Sequence, residues 1–310
     1  MLFLPKTKIG RLWTITSKES DKLKKNSTIR IAVTGANGFI GKYVLSELSN
    51  HPVDVVALVR KPGNLNLQCS EILKLDINNP PTNSFDVMGR PDVLIHLAWG
   101  GLSSYHSLHH FEQELPMQYF FLKDIIRSGL PALVVSGTCF EYGMQSGQLS
   151  EEQPTYPNCP YGYAKDALHR QLLFLQKDYP IDLTWARLFY LYGEGQTSNS
   201  LLPLLESAIT RREKIFNMSG GEQLRDYLHV TEVAKYIVMI ALHKTDMDVL
   251  NICSGKPISI RSIVETWIKK NQWKINLNLG YYKYPENEPM AFWGDRSRLN
   301  FFQNSIKEKI

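Results

Sequence analysis

A tyrosine and a lysine four residues apart, Tyr161 and Lys165, carry the clearest acid–base chemistry in the sequence. They follow Pro160 in a segment that is predicted to form a helix to about Tyr179, so both side chains lie on one face, one turn apart. A phenol with a pKa of about 10 is a poor acid or base at neutral pH, and an adjacent ammonium stabilises its phenolate. The pair therefore suggests acid–base catalysis on a substrate oxygen, although the same spacing also occurs on helices without catalytic function.

A threonine hydroxyl is expected to share this site. Thr138 follows the apolar run Ala132–Ser136 and Gly137, so it marks the carboxyl end of a buried strand. Ligands of parallel α/β sheets bind beyond the carboxyl ends of the strands. We therefore expect Thr138 to hydrogen-bond the substrate oxygen and to orient it for proton transfer.

A glycine-rich turn near the start of the chain predicts a dinucleotide site. Thr34–Gly41 directly follows the apolar run Ile31–Val33 and precedes an amphipathic segment that begins at Tyr43. In a strand, turn and helix of this kind, glycines let backbone N–H groups approach a pyrophosphate, and the helix N-terminus supplies partial positive charge. Glycine spacing alone is weak support, so the prediction depends on its combination with the strand-end hydroxyl, the tyrosine and the lysine.

Short apolar runs alternate with segments of helical periodicity over much of the chain. Further buried strands are predicted at Val53–Val59, Glu71–Leu75, Val93–Leu97 and Ala132–Ser136, with a helix around 111–127. This alternation predicts an α/β fold, a Rossmann-type doubly wound parallel sheet with helices on both faces.

The pattern changes from about Arg187, where proline, glycine and aromatic residues become frequent. We expect a smaller mixed α/β lobe that binds the substrate and closes over the ligand. A helix at Val230–His243 and a strand at Val249–Cys253 are candidates to return to the main sheet. The expected division is a basic N-terminal extension (1–26), a Rossmann domain (27–186) and a mainly substrate-binding lobe (187–310), with about 230–255 returning to the Rossmann domain.

The composition is that of a soluble globular protein, with 43% hydrophobic and 21% charged residues among 310. No apolar run is long enough to cross a bilayer, and the N-terminus lacks the apolar core of a signal peptide. The four cysteines are scattered without paired spacing, which predicts reduced thiols in a cytoplasmic protein.

Basic residues are concentrated at the start of the chain. Residues 1–26 hold seven basic side chains against Glu19 and Asp21, which accounts for the whole net charge of +5. The rest of the chain is therefore neutral overall. We expect a loosely packed extension, with weak contact to a membrane surface or to nucleic acid as the alternative. Nothing else in the chain suggests nucleic acid.

In combination, these motifs resemble the extended short-chain dehydrogenase/reductase superfamily, the NAD-dependent epimerases, dehydratases and reductases of nucleotide sugars. The resemblance runs from about Ile29 to Leu299. It rests on the glycine turn, the strand-end threonine and the Tyr-x-x-x-Lys pair, and on these further motifs: His96–Ala98, Ser136–Gly143, Arg187–Gly193, Arg225–Val230 and Asn251–Pro257. The resemblance implies a nucleotide-sugar substrate and a homodimer that pairs through the helix carrying Tyr161 and the helix before it.

The resemblance also implies roles for individual residues. Thr138, Tyr161 and Lys165 match the catalytic triad, and the last two also contact the cofactor. Arg225 matches a residue that commonly grips the diphosphate of the substrate, where a guanidinium suits phosphate geometry. The other residues that match cofactor-binding positions are Gly35, Asn37, Gly38, Phe39, Ile40, Gly41, Asp76, Ile77, Leu97 and Ala98.

The residues after the second strand favour NADPH as the cofactor. Members of the family that prefer NAD carry an acid there for the ribose 2′-hydroxyl, whereas this chain has Arg60 and Lys61. These cations would attract a 2′-phosphate. NAD is the alternative cofactor, because two exposed charges at the start of a loop are also ordinary surface residues.

The positions after Thr138 argue against dehydration. Dehydratases of the family have an Asp-Glu pair where this chain has Cys139 and Phe140, and neither replaces that pair. The family's 3,5-epimerase/reductases use a cysteine near here with a histidine from the second lobe, and no histidine lies around Tyr190–Asn199. We expect Cys139 to be a small buried side chain.

The expected function is NADPH-dependent reduction of a nucleotide-linked 4-keto-6-deoxy sugar, for an activated deoxysugar of a surface polysaccharide such as the O-antigen of lipopolysaccharide. The hydride passes from nicotinamide C4 to the ketone carbon, and Tyr161 delivers the proton to the developing alkoxide. Lys165 holds the nicotinamide ribose and tunes the phenol, while Thr138 orients the oxygen. The alternatives are an NAD-dependent nucleotide-sugar 4-epimerase and a non-catalytic dinucleotide-sensing or scaffold protein of the same fold.

Two departures from the family pattern leave the sugar, the nucleotide and the product stereochemistry open. Tyr190 stands where the Arg-x-x-Asn-x-Tyr-Gly motif has asparagine, and Tyr284–Pro289 stands about where many relatives present a phosphate-binding arginine. Trp99 follows the fourth strand and either lines the sugar site or packs a loop.

Three histidines, His106, His109 and His110, are close enough in sequence to consider a metal. No cysteine or carboxylate cluster accompanies them, so no metal site is expected, and a substrate-side loop or helix cap is favoured. Tyr281–Tyr284 is expected to be an aromatic packing patch, with stacking on a base as the alternative.

Overall fold

The chain folds around parallel strands in this computed structural model, which describes residues 28–61 and 68–308. The strands are β1 Arg30–Thr34, β2 Asp54–Val59, β3 Glu71–Lys74, β4 Val93–His96, β5 Ala132–Thr138, β6 Gly147–Leu149, β7 Asp182–Leu188, β8 Tyr190–Tyr192, β9 Ile215–Asn217, β10 Leu224–His229, β11 Asp248–Ile252, β12 Pro257–Ser259, β13 Asn276–Asn278 and β14 Phe292–Gly294. The α-helices are α1 Phe39–Leu48, α2 Ser84–Val87, α3 Leu115–Arg127, α4 Pro160–Asp178, α5 Leu201–Thr210, α6 Val230–His243, α7 Ile260–Asn271 and α8 Ser297–Lys307. A π-helical turn, His110–Glu114, precedes α3, and a 3₁₀ turn, Cys139–Tyr142, follows β5.

The main sheet has seven strands in the order β11-β7-β5-β4-β1-β2-β3, and every neighbouring pair is parallel. The chain leaves β1 towards one edge and β4 towards the other. The carboxyl ends of β1 and β4 therefore form the topological switch point, where doubly wound sheets bind their ligands.

Helices cover both faces of this sheet, which explains why its central strands are continuous apolar runs. On one face, α1, α6 and α8 bury side chains such as Leu45, Ile237 and Phe302 against the strands. On the other face, α3 and α4 bury side chains such as Leu122 and Leu172. The predicted Rossmann-type doubly wound fold is confirmed.

The second lobe is assembled from short strands and two helices. Strand β10 pairs in parallel with β8 and antiparallel with β12, while β13 pairs with β9. Helices α5 and α7 close a separate apolar core that contains Leu205, Val264 and Trp267. In the sequence, α6 and β11 lie between strands of this lobe, but they pack with the main sheet. Strand β11 pairs with β7 along its length and so forms an edge of that sheet.

Two statements bound the rest of the chain. In residues 28–61 and 68–308, none of the helices combines the length and the apolar character that crossing a bilayer would require. The basic extension predicted at 1–26 lies outside the described residues.

A buried ion pair joins the ends of the two strands beside the site. Glu141, in the 3₁₀ turn, accepts from Arg187 Nε at 2.7 Å and from Trp185 Nε1 at 3.0 Å, both on β7. The same carboxylate accepts the backbone N–H of Thr138 at 2.7 Å, which completes a capping box at the end of β5. Glu141 and Arg187 are both almost completely buried, so each charge depends on the other for compensation.

Glu141→Gln is expected to lower the free energy of unfolding by about 3 kcal/mol or more, because it leaves the Arg187 charge buried without a counter-charge. Urea unfolding measures the loss. Glu152→Gln is the matched control, since Glu152 pairs with Arg298 while its side chain is 65% exposed. That control is expected to cost less than about 1 kcal/mol. Equal, small losses for both variants would contradict this role of Glu141.

Candidate active site

A cavity of about 1150 Å³ opens at the switch point of the sheet. Its walls come from the glycine turn, the ends of β2, β3, β4 and β5, the start of α4, and the second lobe. Pockets for one small ligand are usually about 300–1,000 Å³. The size therefore suits a dinucleotide together with a second ligand.

The glycine turn forms one end of this cavity. Gly35 has a φ of +65°, and a Cβ there would lie 2.9 Å from the backbone nitrogen of Ala98. A Cβ on Gly41 would lie 2.2 Å from the carbonyl oxygen of Gly35, so helix α1 approaches the turn only with glycine at this position. Among the residues that the structure describes, no side chain caps α1, and its first turn holds no acid, so its N-terminal amides are available to an anion. The turn fits a pyrophosphate.

The other predicted cofactor residues lie on the same cavity except Lys165, which is buried behind the ring of Trp99 and does not reach the cavity surface. Arg60 and Lys61 are exposed at the end of β2, and Asp76 fixes the turn after β3 by accepting the backbone N–H of Asn78 at 3.1 Å. The remaining predicted residues that line it are Asn37, Gly38, Phe39, Ile40, Ile77, Leu97 and Ala98.

A chain of buried hydrogen bonds supports the cofactor end from below. The hydroxyl oxygen of Thr34 accepts the backbone N–H groups of Leu97 at 3.1 Å and Ala98 at 3.3 Å. The Thr34 hydroxyl is also 3.0 Å from His96 Nδ1, and His96 Nε2 is 2.8 Å from Gln118 Oε1. Burial lowers the pKa of His96 to about 3, so the ring is neutral, with Thr34 donating to Nδ1 and Nε2–H donating to Gln118. Sequence reasoning missed this chain, because its members lie far apart in sequence.

The structure brings the three predicted catalytic residues together at the edge of the cavity. Thr138 and Tyr161 both line the cavity, and the Thr138 side chain acts on the phenol by opposing the rise in its pKa. Tyr161 stacks on Tyr105, with ring centroids 5.2 Å apart. Lys165 is almost completely buried, and its Nζ donates to the carbonyl oxygen of Ser136 at 2.8 Å.

Trp99 also belongs to this group. Its ring centroid lies 4.0 Å from Lys165 Nζ, which is a cation–π contact, and its edge meets the ring of Tyr161. The indole N–H donates to His110 Nδ1 at 3.1 Å, and His110 Nε2 donates in turn to the carbonyl oxygen of Ser104. Trp99 therefore has both of the roles considered from the sequence, because it lines the cavity and packs a loop.

Burial sets the protonation states of the acid–base pair. It raises the pKa of Tyr161 well above its usual value, helped by Tyr105 and Glu141 and opposed by the hydrogen bond from Thr138. It lowers the pKa of Lys165 to about 7, opposed by the charges of Glu141 and Glu114. The expectation that the ammonium would make the phenol more acidic is therefore corrected, because desolvation outweighs it. A phenol that stays protonated at neutral pH is suited to donate a proton.

The substrate end differs from expectation at one predicted residue. Tyr190 lines the cavity, as expected for a substrate-side residue. Arg225 does not, because its guanidinium is fully buried behind the wall and is paired with Glu288 at 2.8 Å. The pairing was not foreseen, since the two residues are 63 positions apart in the sequence.

The structure also places three other residues that the sequence analysis considered, Cys139, His106 and His109. Cys139 is buried beside the site, and burial raises the pKa of its thiol, so it is an unreactive core residue. His109 bonds to Glu114, and His106 bonds to Asn287. Within the described ranges, no three histidine, cysteine or acidic side chains are grouped to hold a metal ion.

Most of the chain is similar to proteins of one known family. The model of the NAD dependent epimerase/dehydratase family matches residues 31–253. The chain is 29% identical to dTDP-6-deoxy-L-talose 4-dehydrogenase (NAD(+)) of Aggregatibacter actinomycetemcomitans, over 86% of this chain and 99% of that protein. It is 23% identical to dTDP-4-dehydro-6-deoxyglucose reductase of Escherichia coli, over 76% of this chain and 80% of that protein.

Solved structures of other proteins have the same fold as this chain. MoeE5 in complex with UDP-glucuronic acid and NAD is 26% identical and superposes with a TM-score of 0.74, covering 87% of this chain and 92% of that one. UDP-N-acetylglucosamine 4-epimerase from Methanobrevibacter ruminantium M1, at 23% identity and a TM-score of 0.78, shares the fold over 89% of this chain and 92% of its own.

Lys165→Met is expected to stabilise the protein near pH 7. The lysine has a pKa of about 7 in the folded chain against 10.5 for a lysine in water, so between these values only the unfolded chain holds the proton, and wild-type stability rises with pH. The variant loses this penalty. Its melting temperature is expected to exceed that of the wild type by about 2–6 °C near pH 7, with the gain shrinking towards about pH 10.

Thermal unfolding across this pH range tests the prediction. Lys177→Met, on the exposed surface of the same helix, is the control and is expected to show no such dependence. A lower melting temperature for Lys165→Met at every pH would contradict the prediction.

Proposed function

This chain belongs to the NAD dependent epimerase/dehydratase family, and on that premise we propose that it reduces a nucleotide-linked 4-keto-6-deoxy sugar with NADPH. The observation that carries the proposal is the grouping of Thr138, Tyr161 and Lys165 at the edge of a cavity whose other end fits a pyrophosphate. The proposal keeps the surface-polysaccharide role and the cytoplasmic location predicted from the sequence.

Each catalytic side chain has one task in this reaction. Tyr161 donates its proton to the oxygen of the ketone as that oxygen gains negative charge. Thr138, which lines the cavity with Tyr161, orients the same oxygen. Lys165, held by the Ser136 carbonyl, supplies positive charge next to the phenolate that forms. Bound NADPH supplies the hydride for the ketone carbon.

The direction and the cofactor are supported by separate features. A 4-dehydrogenase and a 4-ketoreductase catalyse one reaction in opposite directions, and relatives of both names resemble this chain. The protonated state of Tyr161 suits the reductive direction. Arg60 and Lys61 are exposed on the cavity wall, where they suit the 2′-phosphate of NADPH.

Dehydration has no support at this site. Cys139 is buried and Phe140 lines the cavity beside the catalytic residues, so neither supplies the acid and base that the elimination of water requires. A 4-epimerase remains the second candidate, because UDP-glucose 4-epimerases are among the relatives and use the same fold.

A panel of dTDP-, UDP- and GDP-linked 4-keto-6-deoxy sugars, each mixed with the enzyme and NADPH or NADH, tests the function. We expect loss of NADPH absorbance with at least one member and slower loss with NADH. NAD that stays bound through dialysis, together with interconversion of a 4-hydroxy sugar and no net use of cofactor, would support the epimerase instead.

Tyr161→Phe is expected to reduce kcat by about 10²–10⁴-fold, because it removes the proton donor while keeping the ring that packs on Tyr105. The affinity for NADPH, measured by fluorescence titration, is expected to change less than about twofold. Tyr163→Phe is the matched control, since Tyr163 lies on the same helix with its side chain exposed. An unchanged rate for Tyr161→Phe would remove this phenol from the mechanism.

We also propose that the protein is a homodimer. Phe120 on α3 and Phe174 on α4 are 64% and 67% exposed, and the two helices pack side by side on one face of the sheet. A second copy packed on these two helices would remove both rings from water. The solution mass of a single chain would contradict the proposal.

A further inference from the structure

The guanidinium of Arg225 lies buried beneath the substrate end of the cavity. Arg225 is fully buried on β10, with the ring centroid of Phe292 at 4.7 Å. One terminal nitrogen, Nη1, donates to the carbonyl oxygens of Leu224 and Met290, and Nη2 donates to Glu288. Among the described residues, nothing accepts from the buried Nε–H. Arg225 therefore holds an unused donor, which is costly for a buried group.

The carboxylate that covers Arg225 belongs to the connection between β13 and β14, residues 279–291, which we call the strap. Glu288 is 28% exposed and lines the cavity. The strap is attached to the opposite side of the cavity mouth by its neighbour Asn287, whose side chain donates to His106 Nε2 at 2.7 Å. The Asn287 carbonyl also accepts from Asn158 Nδ2 at 2.8 Å. Both of these side-chain anchors lie on the surface, so they can be exchanged for water at little cost. Next to β14 the strap is also held by backbone hydrogen bonds, from the Leu224 N–H to the Met290 carbonyl at 2.8 Å and from the Gly147 N–H to the Ala291 carbonyl at 2.9 Å, so the part free to move is the segment around Glu288.

Tyr190 holds the same carboxylate from the other side. Its hydroxyl donates to Glu288 Oε2 at 3.1 Å, the oxygen that also accepts from Arg225. Burial and the Glu288 charge raise the pKa of Tyr190 well above its usual value, so it remains a donor. The two positions at which the sequence departs from the family's substrate pattern are therefore in direct contact.

The charges on the cavity surface differ between its two ends. On the described cavity wall, the lysine and arginine side chains are Arg60 and Lys61, both at the cofactor end. An anion that enters the substrate end meets the Glu288 carboxylate first and the guanidinium only behind it. The negative charges of the anion and of Glu288 repel each other, and this repulsion is stronger in a partly buried site than in water.

We propose that Glu288 is a specificity-determining residue that occupies the anion-binding face of Arg225, and that the diphosphate of the substrate reaches Arg225 only by displacing Glu288 and the strap. The identity of this anion rests on the proposed function. Displacement exchanges one anion for another on Arg225 and offers the ligand the unused Nε–H donor. Part of the binding energy of a nucleotide sugar is then spent on moving the strap, which disfavours small anions that make no other contact.

Glu288→Gln tests this, because it removes the charge while an amide oxygen can still accept from Arg225. We expect Kd for dTDP, UDP or GDP, whichever binds the wild type, to fall by about 5- to 50-fold in calorimetric titration. KM for the nucleotide sugar should fall in parallel, with kcat the smaller change. Glu286→Gln, an exposed residue of the strap with the same change of charge, is the control and should leave both constants within about twofold.

The outcomes separate this proposal from the proposed function. Turnover of a nucleotide sugar by the wild type, with Kd and KM unchanged or raised in Glu288→Gln, would overturn the role of Glu288 alone. Tighter diphosphate binding by Glu288→Gln without turnover of any nucleotide sugar by the wild type would support Glu288 and overturn the function. If Glu288→Gln does not fold, Tyr190→Phe removes only the hydrogen bond to Glu288, and an unchanged or raised diphosphate Kd in that variant would overturn the proposal.

Discussion

The geometry of the catalytic group depends on one buried carboxylate. Glu141 binds the backbone of Thr138, the indole of Trp185 and the guanidinium of Arg187, so it joins the end of β5 to β7 directly beneath the site. Its charge also opposes the loss of the proton from Lys165. A neutral side chain could accept some of these hydrogen bonds, but it could not balance the charge of the buried Arg187. The same interaction therefore fixes the strand ends and sets the electrostatic environment of the catalytic lysine.

Burial gives the acid–base pair its chemistry and destabilises the folded chain. Trp99 and Tyr105 enclose Tyr161 in an apolar setting that keeps the phenol protonated, and the same setting brings the pKa of Lys165 to about 7. A surface pair of the same spacing would keep a solvated phenol and a fully charged ammonium. The aromatic side chains around the pair, none of which reacts, therefore matter as much as the spacing itself.

Local patterns in the sequence predicted the sheet and the catalytic group, because each rests on residues that are close in the chain. Apolar runs marked the central strands, and the four-residue spacing placed Tyr161 and Lys165 on one helix face. Pairings across the fold were not predictable in this way. Glu141 and Arg187 are 46 residues apart, and Arg225 and Glu288 are 63 apart, so only the folded chain brings their charges together. Strands β8, β9, β12 and β13 of the second lobe were not predicted for another reason, because three-residue strands are too short to show an alternating pattern.

The two ends of the cavity differ in how their positively charged groups are presented to a phosphate. At the cofactor end, the amides of α1 and the exposed side chains of Arg60 and Lys61 lie directly on the cavity wall. At the substrate end, the corresponding cation is already neutralised by Glu288. A preorganised site loses little free energy on binding, whereas a site that must first release an internal carboxylate loses part of the affinity of its ligand. We infer that the cofactor binds with little rearrangement, and that discrimination among substrates arises where the chain must move. The hydroxyl of Tyr190, which donates to the same carboxylate at 3.1 Å, adds to what a substrate must displace at this end.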